Sequence, residues 1–307
     1  MKKIVITGAA NGIGKATAIA CVEAGYYVIA ADKDKQGLRN LQDLLPAHRL
    51  EGHVADFSRP DTYRSFISEL YQRDDRLALQ GLVNNAGLYH GKSVYEYSDE
   101  EMEEMWSVNL KSLVYLSRDF ARHELQAPHA RCIVNITSVA GEVGSMDALY
   151  GATKAGVIGL TKANAWNFAP RVRVNAVSPA LIRQTSIHDR IPEHRRKEYE
   201  RQEVLKEPIH PEGVAGVPVS VVRSEPSSDR KNHTRGQRCL PALMRSLDTQ
   251  GDETCNARNC SSWAAVTCAC RFCKSSRPAI SSTFMWPAAT WNRRPACATW
   301  SAWVRCS

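Results

Sequence analysis

Tyr150 and Lys154 are the strongest candidates for chemistry in this sequence. Their four-residue spacing places both side chains on one face of a helix, which the pattern predicts from Tyr150 to about Phe168. Because an ammonium beside a phenol favours the phenolate, we expect the pKa of Tyr150 to lie below its usual value of about 10. Such a pair could transfer a proton near neutral pH. The alternative is an ordinary helical pair of tyrosine and lysine.

A glycine turn near the start of the chain is the second candidate site. Gly8, Gly12 and Gly14 follow a short apolar run at residues 3–7 and precede a helical pattern that ends at Gly25. A turn without Cβ atoms lets backbone N–H groups approach a pyrophosphate at the positive end of the helix. The spacing differs from the G-x-G-x-x-G of the commonest dinucleotide fold, and a turn without a ligand is the alternative.

Asp32 strengthens the dinucleotide interpretation. It ends a second apolar run, 18 residues after Gly14. A carboxylate there suits the two ribose hydroxyls of NAD and repels the 2′-phosphate of NADP. Lys33 and Lys35 flank it, and a solvated residue at the end of a strand is the alternative.

The elements that must position these residues alternate along the first 212 positions. Short apolar runs at 52–55, 81–83, 132–136 and 172–177 are separated by helix-length segments. Continuous apolar strands that alternate with helices predict a doubly wound α/β domain, with a parallel sheet covered on both faces. We find no internal repeat that would indicate a solenoid.

Composition divides the chain into two parts. The whole chain has 40 Lys and Arg against 32 Asp and Glu, but residues 213–307 hold 13 and 5 of these and so supply the entire charge of +8. The same part holds 8 of the 10 Cys and 5 of the 7 Trp. No apolar run reaches the length of a membrane span, and no signal peptide follows Met1. We therefore expect a cytoplasmic protein with no membrane or nucleic-acid partner.

Several motifs, in this order, resemble the classical short-chain dehydrogenase/reductase family: the turn from Thr7 to Gly14, Asn84-Asn85-Ala86-Gly87, Asn109, Ser138, Tyr150-x-x-x-Lys154, and Asn175-Ala176-Val177-Ser178-Pro179. The resemblance covers residues 3 to about 216. It implies a Rossmann-type fold and an NAD-binding catalytic domain at residues 1–216, in a family that usually forms homo-oligomers.

The resemblance also implies a role for each site residue. Tyr150 would be the acid/base, Lys154 would tune it and bind the nicotinamide ribose, Ser138 would polarise the substrate oxygen, and Asn109 would hold a relay water in a distorted helix. Thr137 is a weaker candidate for the serine role, and a satisfied buried amide is the alternative for Asn109. No metal is expected. Cofactor-binding residues would be Gly8, Asn11, Gly12, Ile13, Gly14, Asp32, Asp56, Asn84, Tyr150, Lys154 and Ile182.

The implied activity is hydride transfer between NAD(H) and a small-molecule secondary alcohol or ketone, with NADP disfavoured by Asp32 and by Asn11. The alternatives are a catalytically silent dinucleotide-binding protein and an inactive product of a frameshifted gene. The charged segment from His188 to Arg201 lies where the family has a mobile lid over the substrate, although a solvated helix face is the commoner origin of such a run. The substrate itself is not encoded in any motif.

Residues 217–307 do not match the family. When codons are read from their third base, residues 225–239 permit the Thr-Gly turn that the family has there, so we expect a frameshifted, poorly ordered tail. A zinc site at Cys268, Cys270 and Cys273 with Cys255 or Cys260 is a weaker alternative, because no second C-x-x-C pair exists and His233 is the only histidine of the tail. A disulfide scaffold is disfavoured in a cytoplasmic protein, and the aromatic residues are not interleaved with the basic ones as a nucleic-acid patch would need. Without the last strand of the family, residues 172–177 would form an unpaired sheet edge.

Overall fold

The computed structural model describes residues 2–73, 79–123, 131–202 and 207–223, together with the backbone of residues 264–268. Their strands form one sheet. Six short apolar segments and one segment of the tail supply it: β1 (Lys3–Thr7), β2 (Tyr27–Asp32), β3 (Leu50–Val54), β4 (Leu79–Asn84), β5 (Arg131–Ile136), β6 (Val172–Pro179) and β7 (Ala264–Cys268).

Helices connect these strands. Those of the described residues are α1 (Gly12–Glu23), α2 (Lys35–Leu44), α3 (Pro60–Arg73), α4 (Asp99–Trp106), α5 (Ser112–Arg122), α6 (Ala140–Val143), α7 (Ala148–Asn167), α8 (Ser186–Arg190), α9 (Glu193–Gln202) and α10 (Pro211–Arg223). A 3₁₀ turn (Val94–Glu96) precedes α4, and a π-helix (Ser107–Lys111) joins α4 to α5. None of these helices is long and apolar enough to cross a membrane.

The strands lie in the order β3-β2-β1-β4-β5-β6-β7, and the first six of them are parallel. This confirms the doubly wound sheet that the alternation of strands and helices predicts. The chain crosses from one half of the sheet to the other between β3 and β4, so β1 and β4 lie side by side at the centre. The carboxyl ends of β1 and β4 therefore border a crevice, where open sheets of this kind bind ligands.

Two apolar layers cover the faces of the sheet. Alternate residues of β1 show the division, because Ile4 and Ile6 pack with α1, α2 and α10, whereas Val5 packs with α3, α5 and α7. All three side chains are fully buried. Burial on both faces explains why the strands appear in the sequence as continuous apolar runs.

The edge of β6 differs from our expectation. All five residues of β7 pair antiparallel with β6, from Asn175 with Cys268 to Pro179 with Ala264. The prediction of an unpaired edge is therefore wrong for this segment. An open edge presents unused N–H and C=O groups, and an extended segment of the tail satisfies them. Because β7 is antiparallel, it is not the last parallel strand of the expected continuation.

The predicted domain boundary at residue 216 falls inside α10, which continues to Arg223 and packs its buried Val214 and Val222 into the layer of α1. Residues 224–263 and 269–307 lie outside the described part of the chain, and so do the predictions of a poorly ordered tail and of a site at Cys270 and Cys273.

Candidate active site

The glycine turn lies at the carboxyl end of β1, where it is packed tightly by backbone. A Cβ at Gly14 would lie 1.9 Å from the carbonyl oxygen of Gly8, and a Cβ at Gly8 would lie 2.8 Å from the Cα of Ala86. Gly8 and Gly12 also have positive φ angles of 66° and 54°. Only glycine satisfies these requirements at low cost. Both close approaches involve atoms of the protein itself, so these two positions require glycine whether or not a ligand is bound.

The N-terminus of α1 is available to an anion. Asn11 is its N-cap residue, yet its side chain makes no capping hydrogen bond, and Gly12, Ile13 and Gly14 form the first turn. The first N–H groups of a helix have no partner within the helix and carry partial positive charge. A Cβ at Gly12 would lie 3.3 Å from Cγ2 of Thr185 and would reduce the space between the turn and Thr185. These features fit the pyrophosphate of a dinucleotide.

Asn85 and Thr7 hold the turn against β4. The amide of Asn85 donates to the carbonyl oxygens of Thr7 and Gly8, at 3.0 and 2.9 Å. In return, Oγ1 of Thr7 accepts from the backbone N–H groups of Asn85 and Ala86, both at 3.0 Å. The sequence analysis did not single out either residue for this purpose. Their positions at the ends of adjacent strands would have indicated it.

Asn84 lies deeper in the fold than Asn85. Its side-chain amide donates to Oδ1 of Asn135 at 2.8 Å and to Oγ of Ser117 at 3.3 Å, and Asn135 in turn donates to Thr161 of α7. This buried polar chain links β4 and β5 to the helices α5 and α7. The structure brings Asn85, and not Asn84, to the glycine turn.

Asp32, at the end of β2, is oriented by backbone. Its two carboxylate oxygens accept from the N–H groups of Ala10 and Asp34, each at 2.9 Å. Asp34 adds a second carboxylate beside the turn, where it accepts from the side chain of Asn11 at 3.1 Å and caps α2 at Gly37. The Gly37 N–H and the Asn11 amide hold the pKa of Asp34 below its usual value, so it stays ionised. The sequence analysis missed Asp34, which follows Asp32 by two residues.

Asp56 and Ile182 lie on opposite sides of the crevice. Burial favours the neutral form of Asp56, but hydrogen bonds from the N–H and hydroxyl of Ser58, at 3.0 and 2.7 Å, hold its pKa below the usual value. Asp56 follows β3 by two residues and is available for the adenosine end of a dinucleotide. Ile182 follows β6 and is buried in the layer of α1. Between β6 and Ile182, Ala180 does not have a positive φ, so its methyl group is tolerated there.

Ser138 and Tyr150 form the centre of the other half of the crevice. Ser138 lies two residues beyond the end of β5, and its hydroxyl is close enough to the Tyr150 side chain to favour a lower pKa of that phenol. Tyr150 is in the first turn of α7 and is 6% exposed. The hydroxyl of Thr137 instead donates to the carbonyl oxygen of Val177 at 3.0 Å. The geometry therefore favours Ser138 over Thr137 as the serine of the site.

The expected effect of Lys154 on the pKa of Tyr150 is not found. Burial raises the pKa of Tyr150 to about 12, against a lowering by the Ser138 hydrogen bond. Burial also lowers the pKa of Lys154 to about 8. The Lys154 ammonium donates to the carbonyl oxygen of Ile136 at 2.9 Å and lies 5.7 Å from the centre of the Tyr150 ring. Loss of solvent therefore outweighs their mutual attraction, and both groups shift towards their neutral forms.

Asn109 lies in the π-helix between α4 and α5, so the distortion that we expected there is present. Its side chain is fully buried, and its Oδ1 accepts from the N–H of Leu88 at 2.7 Å. Its amide donates to the carbonyl oxygen of Leu88 at 2.9 Å and to Oγ1 of Thr153 at 3.2 Å. A Cβ at Gly87 would lie 3.6 Å from Oδ1 of Asn109 and 3.5 Å from Nζ of Lys154. The two polar groups thus converge on one backbone position.

An aromatic cluster that the sequence analysis missed surrounds Tyr150. The Tyr89 ring contacts the Tyr150 ring edge to face, with centroids 5.0 Å apart. Tyr97, Met105, Leu149 and Ile191 complete the buried part of this cluster. Tyr89 follows the Asn-Asn-Ala-Gly motif by two residues, which would have been the signal.

The charged segment of the predicted lid folds as α8 and α9, and Ile187, Ile191 and Tyr199 pack towards the aromatic cluster. It is therefore not wholly a solvated helix face. A cleft of about 640 Å³ at its base is lined by Arg183, Gln184, His188, Asp189, Pro208 and His210. This cleft does not include Tyr150. Within the described part of the chain, no three His, Cys, Asp or Glu side chains are grouped so that they could hold a metal ion.

The comparisons with known proteins agree with this geometry. A family model described as short chain dehydrogenase matches residues 2–196. The 3-oxoacyl-[acyl-carrier-protein] reductase FabG of Thermotoga maritima is 32% identical over 77% of this chain and 94% of its own length. The meso-2,3-butanediol dehydrogenase of Serratia marcescens is 32% identical over 70% of this chain and 85% of its own.

Solved structures show the same fold. A short-chain dehydrogenase/reductase from Brucella melitensis, described as a glucose/ribitol dehydrogenase, superimposes with a TM-score of 0.65 at 30% identity, over 72% of this chain and 89% of that one. A short chain dehydrogenase from Mycobacterium smegmatis gives a TM-score of 0.60 at 29% identity, over 72% and 85%. The family model and these relatives show that the chain belongs to the short-chain dehydrogenase family of oxidoreductases.

Proposed function

We propose that the protein is an NAD(H)-dependent oxidoreductase that interconverts a secondary alcohol and a ketone, with Tyr150 as the acid/base. The observation that carries the proposal is the convergence of Ser138, Tyr150 and Lys154 beside the glycine turn. The Ser138 hydroxyl is close enough to the Tyr150 phenol to favour a lower pKa, and Lys154 lies one helical turn away, 4% exposed.

Proton transfer in this proposal occurs at the phenolic oxygen of Tyr150. During reduction of a ketone, the phenol donates its proton to the oxygen that gains negative charge; during oxidation of the alcohol, the phenolate accepts it. The Ser138 hydroxyl donates to the same oxygen and orients it. Because burial raises the pKa of Tyr150 to about 12, the free protein holds the proton-donating form at neutral pH. Lys154 stabilises the phenolate once the proton has left.

The cofactor, when bound, supplies the hydride donor or acceptor for the carbon that carries this oxygen. The residues of the crevice divide the task of holding it. Gly12, Ile13 and Gly14 at the start of α1 would bind the pyrophosphate, Asp32 the adenosine ribose and Asp56 the adenine. On the other side of β1, Lys154 would hold the nicotinamide ribose and Ile182 the nicotinamide. Asn109 would hold a relay water between Lys154 and solvent.

The preference for NAD over NADP is supported by two carboxylates. The oxygens of Asp32 are directed by the N–H groups of Ala10 and Asp34, and Asp34 itself lies beside Asn11. A 2′-phosphate would meet both negative charges, whereas ribose hydroxyls would donate to Asp32. Lys33, which follows Asp32, has its ammonium 3.7 Å from the carboxylate of Glu104 of α4.

The substrate class follows from the names of the relatives and from the site. A 3-oxoacyl reductase and a butanediol dehydrogenase both act on a ketone or a secondary alcohol. The aromatic cluster around Tyr150 suits an apolar portion of such a substrate.

The test is a substrate panel. Polyols, sugars, steroids and 3-oxoacyl thioesters are offered with NAD(H) and, separately, with NADP(H), and the absorbance of the reduced cofactor is followed. We expect turnover of at least one alcohol or ketone, with kcat/KM higher for NAD(H). NAD binding without turnover of any class would contradict the proposed reaction, and equal use of NADP would remove Asp32 from the ribose site.

A further inference from the structure

A buried carboxylate at the start of α7 joins the helix of Tyr150 to the chain segment after β4. Asp147 is fully buried, and its carboxylate accepts three hydrogen bonds from three different residues. The backbone N–H of Tyr150 donates to Oδ1 at 2.9 Å, whereas the N–H of Gly91 and the hydroxyl of Tyr97 donate to Oδ2 at 3.0 and 2.7 Å. A buried carboxylate is stable only with such partners.

The two oxygens of Asp147 have separate tasks. Oδ1 caps α7, which is the ordinary role of an aspartate before a helix. Capping does not need Oδ2, which is directed away from the helix to Gly91 and Tyr97. These two residues belong to the segment from Leu88 to Tyr97, which links β4 to α4. Asp147 therefore does more than cap the start of α7, since it also binds the segment from Leu88 to Tyr97.

That segment carries the aromatic side chain closest to the reacting tyrosine. The Tyr89 ring meets the Tyr150 ring at an interplanar angle of 85°. Gly91, at φ 70°, leaves room for the Tyr89 ring, because a Cβ there would lie only 3.2 Å from a ring carbon. From the lid side, Arg190 donates to the carbonyl oxygen of Tyr89 at 3.1 Å. The position of Tyr89 thus depends on Gly91, and the position of Gly91 depends on Asp147.

Burial and the negative charge of Asp147 keep the hydroxyl of Tyr97 protonated, so that it can donate a hydrogen bond. Burial, the hydrogen bond to Asp147 and the negative charge of Asp147 together raise the pKa of Tyr97 above its usual value. Burial raises the pKa of Tyr89 to about 12, with Asp147 and Tyr199 adding to the effect and Arg195 of α9 opposing it. The hydroxyl of Tyr97 therefore stays protonated at neutral pH and bound to Oδ2.

We propose that Asp147 is a positioning residue that holds the segment from Leu88 to Tyr97 against α7, so that the Tyr89 ring forms the wall of the substrate site beside Tyr150. The inference rests on the proposed function in taking Tyr150 as the acid/base. It deepens that function, because the hydrogen bonds of Asp147 with Gly91 and Tyr97 would then set the shape of the substrate site although neither takes part in the reaction. The wall suits an apolar group next to the carbinol carbon.

The first experiment measures hydrogen exchange of backbone amides by mass spectrometry, in the full chain. Tyr97→Phe removes one donor to Oδ2 and leaves Oδ1 on the helix; Asp147→Asn keeps the capping oxygen and replaces the other acceptor with a donor. Tyr95→Phe is the matched control, because Tyr95 lies in the same segment and is 94% exposed. We expect exchange in residues 88–97 to become about tenfold faster in the first two variants, as loss of one hydrogen bond allows, with α7 and the control unchanged.

The second experiment separates positioning from general stability by kinetics. In Tyr97→Phe the KM for the alcohol should rise about tenfold, while kcat and the KM for NAD change by less than about twofold, because neither the acid/base nor the glycine turn is altered. Unchanged exchange in residues 88–97, or an equal increase across α7, would overturn the proposal, as would a loss confined to kcat. If the unmodified protein turned over no substrate, the proposed function would fail alone, and hydrogen exchange would still decide the role of Asp147.

Discussion

The two halves of the crevice hold their polar groups in different ways. On the side of β1, β2 and β3, the carboxylates of Asp32, Asp34 and Asp56 are held by N–H groups of residues close to the turns that carry them. On the side of β4, β5 and β6, the buried groups Asp147, Tyr97 and Asn109 are held by contacts between distant segments. The first half holds its carboxylates by backbone N–H groups of the turns at the strand ends, whereas in the second half the carboxylate of Asp147 joins segments that lie 50 and 56 residues apart in the chain.

This difference explains why the two halves are unequally visible in a sequence. Backbone geometry requires glycine at fixed spacings, so the half at β1, β2 and β3, which we call the cofactor side, can be recognised by a sequence motif. The half at β4, β5 and β6 is called the substrate side. A wall of aromatic side chains requires only bulk and suitable partners, which several residue types provide. The cofactor side is therefore specified by a short pattern, whereas the substrate side is specified by the packing of the whole fold.

The largest expected effect concerns the backbone of the cofactor side. Gly14→Ala would place a Cβ 1.9 Å from the carbonyl oxygen of Gly8, so the turn must shift. We expect a loss of stability of about 3 kcal/mol or more and no measurable NAD binding by calorimetry. Gly159→Ala is the matched control, because a Cβ there meets nothing within 4 Å in the helix α7; it should change stability by no more than about 1 kcal/mol, and favourably. Equal behaviour of the two variants would remove the packing argument.

A second prediction uses the buried charge of the substrate side. Because the pKa of Lys154 is about 8 in the folded protein and 10.5 at its ordinary value, the unfolded chain binds more protons between these values. Stability due to this group must therefore rise with pH across that window and be lowest below it. Compared with Lys154→Met, the unmodified protein should gain up to about 3 kcal/mol between pH 7 and pH 10.5. Chemical denaturation at several pH values measures this, and parallel curves would contradict the buried ammonium.

A smaller effect is expected for cofactor choice. Asp32→Ala removes the carboxylate that opposes a 2′-phosphate, so the ratio of kcat/KM for NAD to that for NADP should fall by about tenfold. Asp34 remains in this variant and should preserve part of the preference. Asp43→Ala on the exposed face of α2 serves as the control and should leave the ratio unchanged. An unaltered ratio in Asp32→Ala would mean that another residue sets the specificity.

Sequence reasoning recovered the parallel sheet, the glycine turn and the tyrosine helix, because each leaves a local pattern of apolar period, glycine spacing or helical spacing. It did not find Asp147 or Tyr89. These residues acquire their roles from contacts across more than fifty positions of the chain. A single aspartate or tyrosine that follows no spacing rule cannot be recognised as functional from the sequence. It also placed the wrong sign on the pKa shift of Tyr150, because burial cannot be read from the four-residue spacing to Lys154.

The pairing of β6 with β7 at the edge of the sheet was not predicted from the sequence. We expected no partner for β6, since residues 217–307 carry no family motif, yet an extended segment of five residues pairs with it. Edge pairing needs only backbone groups and so does not require a recognisable sequence. We still propose that this part of the chain arose by a frameshift. Sequencing the gene around codons 213 to 245 tests that origin: a one-base change should open a frame that encodes Thr-Gly and an apolar strand, and its absence would rule the origin out.

The central claim is that Tyr150 transfers the proton, and Tyr150→Phe tests it most directly. Removal of the hydroxyl should lower kcat by about 10²-fold or more, while the affinity for NAD measured by fluorescence titration changes by less than about threefold. Tyr63→Phe provides the comparison, because Tyr63 is a similarly buried tyrosine in α3 that lies outside the aromatic cluster around Tyr150. A hundredfold loss in the first variant with normal activity in the second is the predicted result; near-normal turnover by Tyr150→Phe would contradict the account.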